Sequence, residues 1–266
     1  MHRYEPIKKK VAGVFDQLLT AGHKLPTGSI QRIHEQDTVQ NYTIGTRLVM
    51  DDRVFRYCKA GSALRDLLSG MCAISQTEVY THATASPVGS YSVTILDTTV
   101  RAANYYAGGY IWIMRYAPGT TGIGQLHRIK SSAAGVGVSV ALTLEEPLAV
   151  ECGASTWITA WPSIYSNIQL GILPKASLVC IPLIEVASGS YFWGQTWGPI
   201  FVQCGYSPGS KNYDRELYWK SDHYGVLPGS EVVFTAGSSI PQRVGFLLPD
   251  TAVVGTDNFM MLQISP

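Results

Sequence analysis

The stretch Gly189–Pro199, Gly-Ser-Tyr-Phe-Trp-Gly-Gln-Thr-Trp-Gly-Pro, constrains the fold more than any other part of the chain. Tyr191, Trp193 and Thr196 favour a pleated, half-buried strand, while Gly194, Gly198 and Pro199 punctuate it. Each aromatic ring can bury roughly 150–250 Å², so the segment is expected to anchor a core or an interface. It carries no charge and offers nothing for acid–base chemistry. Trp193 and Trp197 are four residues apart, so they reach opposite faces only across a bulge or turn, for which Gly194 is the expected place.

Composition extends that contrast between heavy packing and little chemistry. Charged residues make up 15% of the 266-residue chain, against about 25% in an average globular protein. With 26 Gly, 15 Tyr and 6 Trp, the chain reads as mainly β and rich in turns, with much of its surface given to contacts. The net charge of +1 gives no global electrostatic case for binding nucleic acid or a membrane. The five cysteines, Cys58, Cys72, Cys152, Cys180 and Cys204, form no CxxC pair and read as free, buried thiols of a reducing compartment. The polar N-terminus does not resemble a signal peptide, and no apolar run approaches the ~18 residues of a membrane span. Synthesis and assembly in a cytoplasm are expected.

Taken in order, the chain is expected to have four parts. Residues 1–50 form an extended N-terminal arm with a basic cluster at Lys8, Lys9 and Lys10; being polar and without periodicity, the arm is either loose or ordered against a neighbouring subunit. Residues 51–87 hold a strand pair and a short helix. The pair, which begins at Thr46, turns at Asp51-Asp52, and the helix over 60–72 places Leu64, Leu67, Leu68 and Met71 on one face. Residues 88–165 form a first β unit, with strands at 90–95, 110–115, 125–131, 136–144 and 157–161. Residues 166–266 form a second, with strands at 178–186, 190–196, 200–204, 231–235, 243–247 and 259–264. A Tyr-rich insertion at 206–227 interrupts it. Short strands at this spacing predict two barrel-like or sandwich-like units.

The constellations that could carry chemistry fail on physical grounds. Gly205-Tyr-Ser207-Pro-Gly209 has the pattern of a nucleophile elbow, with Asp214 or Asp222 and His223 following. The residue after the serine must supply an oxyanion-hole N–H, however, and Pro208 has none. Gly119-Thr-Thr-Gly122-Ile-Gly124 lacks the Gly-Lys-Ser/Thr ending of a phosphate loop and reads as a hairpin loop. The six histidines show no ligand spacing for zinc. Asn41-Tyr-Thr43 is a glycosylation sequon, relevant only to a secreted protein. Asp51-Asp52 and Glu145-Glu146 read as exposed turns rather than calcium ligands. The chain is expected to have no catalytic, cofactor or metal site. Tyr206, Tyr213, Tyr218, Trp219 and Tyr224 of the insertion could stack on sugar or pack against another subunit. The interface candidates are Lys8, Lys9, Lys10, Tyr191, Trp193, Trp197, Tyr213, Tyr218 and Trp219.

Four pieces together resemble the capsid decoration (cement) proteins of tailed bacteriophages. They are Gly45-Thr-Arg-Leu-Val through Asp52-Arg-Val-Phe-Arg-Tyr-Cys-Lys-Ala-Gly61, Ala103-Asn-Tyr-Tyr-Ala-Gly-Gly-Tyr110 with Ile-Trp-Ile after it, His127-Arg-Ile-Lys-Ser131 through Leu142-Thr-Leu-Glu-Glu-Pro-Leu148, and Tyr191-Phe-Trp-Gly-Gln-Thr-Trp-Gly-Pro199 followed by Val244-Gly245 and a last short strand. They span about residues 45–264, and none is a catalytic signature. The resemblance implies a homotrimer on the capsid exterior, in contact with the major capsid protein, with no enzymatic activity, no specific nucleic acid and no membrane. The alternative is a head-fibre or tail adhesin that binds host-surface glycan through the Tyr-rich insertion.

Overall fold

A computed structural model describes residues 31–66, 70–72, 78–81, 84–114, 124–153, 156–170, 177–203, 215–219, 226–229, 241–249 and 257–266. The described chain is mainly β and contains no α-helix. Its contacts divide into two compact units: the described residues within Met1–Ala73 and Asn167–Pro266 form unit 1, and those within Ile74–Ser166 form unit 2. This differs from a serial order of units, because the strand pair near residue 50 belongs with the C-terminal strands.

Unit 1 is built around one long strand. The expected hairpin is present: β1 (Arg47–Met50) pairs with β2 (Arg53–Lys59). Asp51 sits in the turn at φ 56°, a conformation tolerated by Asp that lets a two-residue turn follow the strand twist. The helix expected over 60–72 is absent. Leu64 bridges to Val186, and β3 (Gly70–Cys72) pairs with β12 (Ile168–Gln169) and β13 (Ser177–Pro182). A short helix has little stability of its own, so strand partners decide the outcome. The two strands expected at 190–196 and 200–204 are a single one, β14 (Tyr191–Gln203).

Gly194 and Gln195 pair with both β2 and β13, and Trp197 pairs with both β2 and β18 (Asp257–Gln263). It follows that β2 takes one edge of β14, while β13 and then β18 share the other. The sheet continues from β18 through β17 (Gln242–Leu247) to β15 (Glu216–Trp219) and β16 (Leu227–Pro228). Leu178, Ile181, Val202, Leu217, Val244 and Leu262 form the heart of its core. The strand expected at 231–235 lies outside the described residues. Within the stretch read as an insertion, Glu216–Trp219 is a strand of this sheet.

Unit 2 is a six-stranded antiparallel sheet in the order β4 (Glu78–Thr81), β11 (Trp157–Trp161), β7 (Tyr110–Met114), β8 (Gln125–Ser132), β10 (Val140–Leu144), β5 (Ser92–Ile95), with a ribbon of β6 (Val100–Arg101) and β9 (Gly135–Val136). Period-two alternation of burial is clean in β7, β10 and β5. Ile111 and Ile113 of β7, Leu142 and Leu144 of β10, and Val93 and Ile95 of β5 point into one core with Tyr106 and Ile129. Each such side chain contributes about 1.5–3 kcal/mol by leaving water.

Two glycines in β14 are required by close approach. A Cβ on Gly194 would stand 2.6 Å from Cys180 Sγ, so its bare backbone is what lets that thiol pack across the strand. Gly198 has φ 97°, and a Cβ there would lie 2.6 Å from the Asp52 carbonyl oxygen. Gly198→Ala is expected to cost roughly 1–3 kcal/mol through strain and displacement of the β1–β2 turn. Chemical denaturation checks this, and an unchanged midpoint would show that the turn yields freely.

Candidate docking surface

The first place to look is where the sequence concentrates its aromatics. Tyr191 and Trp193 lie on β14 opposite Lys59 and Tyr57 of β2. The Tyr57 ring stacks on Tyr191 at 6.0 Å and meets Trp193 edge-on at 5.0 Å, and Tyr42 packs 5.1 Å from both Tyr57 and Trp193. Trp193 is only 3% exposed. What covers this cluster is the chain's own second half of the arm. Asp37 and Tyr191 exchange backbone hydrogen bonds of 3.0 and 2.7 Å. Gln31 Nε2 donates to the Tyr191 carbonyl (2.8 Å), and Trp193 Nε1 donates to the Gln31 carbonyl (3.1 Å). The Tyr57 hydroxyl donates to Gln31 Oε1 at 2.8 Å, and burial pushes its pKa up to about 12, so it remains a donor. Asn41 N donates to that same hydroxyl, and Asn41 Nδ2 donates to Asp37 Oδ2 at 2.8 Å. The Asp37 carboxyl is held below its ordinary range by the Val39 N–H and then by Asn41.

These contacts correct three readings. Residues 31–44 are a strap folded on their own unit, not a loose arm. Trp193 and half-buried Tyr191 are covered by that strap, so they are not an open interface. The bulge that separates Trp193 from half-buried Trp197 lies between Gln195 and Trp197, not at Gly194. Trp219, 2% exposed, is a core residue of unit 1 and is unavailable to a partner or a sugar. Tyr218 is half-buried on β15, with its hydroxyl donating to Glu216 at 2.7 Å. Lys8, Lys9, Lys10, Tyr213, Ser207, Asp214, Asp222 and His223 lie outside the described residues, as do Tyr206 and Tyr224.

Polar groups in unit 2 are consumed by a buried network. Asp97 accepts from Thr99 N (2.9 Å), Arg101 Nε (3.0 Å) and the Tyr106 hydroxyl (2.8 Å), and the Tyr80 and Tyr106 hydroxyls lie 2.7 Å apart. Burial works to raise the Asp97 pKa, but these hydrogen bonds and the Arg101 charge outweigh it and leave the carboxylate below its ordinary range. The arrangement fixes one ionised, buried carboxylate among three hydrogen-bond donors. Among the described residues no group of three or more His, Cys, Asp or Glu could hold a metal ion. Asp51-Asp52 is the β1–β2 turn, and Glu145 lies 3.7 Å from Arg128. Cys58, Cys152 and Cys180 are buried and in no disulfide.

The surface that sequence reasoning missed is the outer face of the unit 2 sheet. Across β11, β7 and β8 the ladder sets Trp157 beside Met114, Thr159 beside Trp112 and Leu126, and Trp161 beside Tyr110 and Arg128. Trp157 is 57% exposed, Leu126 58% and Tyr110 49%. The signal was present in Tyr-Ile-Trp-Ile-Met, a strand apolar at every position, which is what a strand covered on both faces looks like. No family model, curated protein or solved structure matches the chain.

Two outcomes follow. Trp193→Ala removes the centre of the strap cluster and is expected to lower stability by about 3–5 kcal/mol; an unchanged melting temperature would refute its central place. His127, buried on β8, has its pKa lowered from 6.5 chiefly by burial, with Glu146 opposing. The unfolded chain therefore binds more protons between the lowered value and 6.5, so stability is expected to fall as pH drops below about 6.5. Thermal melts from about pH 7 to 5 check this: the fall should shrink in His127→Gln.

Proposed function

We propose that this chain is a non-enzymatic virion structural protein, a capsid decoration (cement) protein of a tailed bacteriophage that bridges and stabilises major capsid subunits from the capsid exterior. The observation that carries the reading is the exposed aromatic and aliphatic face of β11, β7 and β8. Trp157, Met114, Leu126 and Tyr110 are exposed on it around buried Thr159 and half-buried Trp112, and exposed apolar area of this kind marks a place where another surface sits. The four-piece resemblance supplies the setting, and low charge with abundant Tyr and Trp fits a protein whose work is adhesion.

The physics of such a role is simple. A shell under internal pressure resists rupture better when each added protein bridges several subunits, since more contacts must break at once. Each contact can be modest, because symmetry repeats it over the particle. In this reading each unit is a barrel-like or sandwich-like body, the protein acts as a homotrimer, and it is assembled in the host cytoplasm.

A second reading, a head-fibre or tail adhesin that binds host glycan, draws on the exposed Trp157 and Tyr110 rings, since such rings can stack on the apolar faces of sugars. Sedimentation of the tagged full chain with purified heads separates the two, together with mass spectrometry of virions. Saturable binding to heads and presence in virions are expected; absence from both would end the decoration reading.

A further inference from the structure

We propose that the outer face of β11, β7 and β8 seats one kind of partner, an apolar protein surface rimmed by carboxylates on the assembled head, with Lys130 placed against that rim. The inference rests on the decoration reading and specifies its contact.

The size of the face comes first. Trp157 and Tyr110 alone leave roughly 200 Å² open, taking ~150–250 Å² per aromatic side chain. With Leu126 and Met114 the apolar area is on the order of 300–400 Å², the size of the largest apolar patch on a typical monomer, which is often functional. It falls short of the ~800 Å² per partner of a standard stable complex. A contact this small holds only when it is repeated, as on a shell, or when charge assists it.

Charge is also present. β8 turns Leu126, Arg128 and Lys130 outward in succession, so the apolar patch runs into a cationic strip. Arg128 is loosely matched by Glu145 at 3.7 Å, whereas Lys130 is exposed and meets no carboxylate among the described residues. β10 continues the face with Ala141 and Thr143, which are exposed and uncharged. A second copy of this chain would bring the same Lys130 and Arg128, with Glu145 already set against Arg128, so the face is ill-matched to itself. A sugar would need convergent polar groups around the rings to fix its hydroxyls. Here the ladder places buried Thr159 and half-buried Trp112 between the rings, with Met114 and Leu126 beside them, so no set of polar side chains converges on the rings. An apolar protein surface with an acidic rim satisfies both halves of the face.

The test uses the full chain, purified heads that lack it, and Trp157→Ala, Lys130→Glu and a control, Val88→Ala, at an exposed site off this face. Trp157→Ala is expected to weaken binding by roughly 10–30-fold, as loss of an aromatic anchor does. Lys130→Glu should weaken binding and flatten its salt dependence, while Val88→Ala binds as wild type. Melting curves of all three should overlay wild type, because the side chains are exposed. The inference is overturned if wild type binds saturably and Trp157→Ala and Lys130→Glu bind equally well. It is also overturned if sedimentation equilibrium shows a wild-type oligomer that Trp157→Ala dissolves, or if a glycan array shows binding that Trp157→Ala abolishes. Failure of wild type itself to bind heads sinks the decoration reading, and this inference with it.

Discussion

A strand has two edges, and β14 must serve three neighbours. It does so by length. Its first half runs between β2 and β13, and its second half takes β18 along the edge that β13 has left. The changeover falls at Thr196, where the register with β2 slips. Thr196 stitches the break: its hydroxyl donates to the Ser265 carbonyl at 2.7 Å, and its own carbonyl accepts from Ile264 and Ser265. Gln195 contributes from within, with Nε2 reaching the carbonyls of Trp197 and Pro199. The bulge therefore leaves few backbone groups unsatisfied, which is the condition for placing it inside a sheet. The core of unit 1 and the seat of the strap both depend on this strand keeping its register.

Much of this is legible in the residues, and the misreadings have identifiable causes. Alternation located β5 and β10 because each has one face in a core, strand-forming residues between turn signals located β7, β8, β11 and β17, and the turn at Asp51-Asp52 announced the first hairpin. Gly198-Pro199 read as a break in β14 because both residues weaken strands in isolation. Pro199 falls where pairing with β2 has already ended, however, and a sheet tolerates proline beside an unpaired edge. The leucine spacing after residue 60 mimics a helix, yet Leu64 is pinned by two backbone hydrogen bonds to Val186. Long-range partners of this kind are invisible to local periodicity.

The site was less legible than the fold. Aromatic density pointed to Trp193, and density does mark an anchor, but it does not say whose surface is anchored. The strap is polar and aperiodic, so nothing in its own pattern predicts order. It is ordered by matching Gln31, Asp37 and Asn41 to particular backbone and hydroxyl groups on β14 and β2. The outer face of unit 2 escaped notice for the opposite reason. Its residues are spread over three strands, Trp157 far from Tyr110 and Leu126 in sequence, and only the ladder brings them together.

The chain leaves unit 1 after β3 and re-enters it at β12, and these two strands are hydrogen-bonded neighbours, Cys72 facing Gln169's neighbour Ile168. Antiparallel neighbours can be joined by a turn of a few residues. The sheet of unit 1 is therefore complete without anything that lies between them, and unit 2 stands in the place of a hairpin loop. A whole β body has been spliced into a turn, and such a site is modular: its contents can be lengthened, exchanged or removed while the host sheet keeps the same strand order. That arrangement separates a part free to vary from the part that must hold its shape.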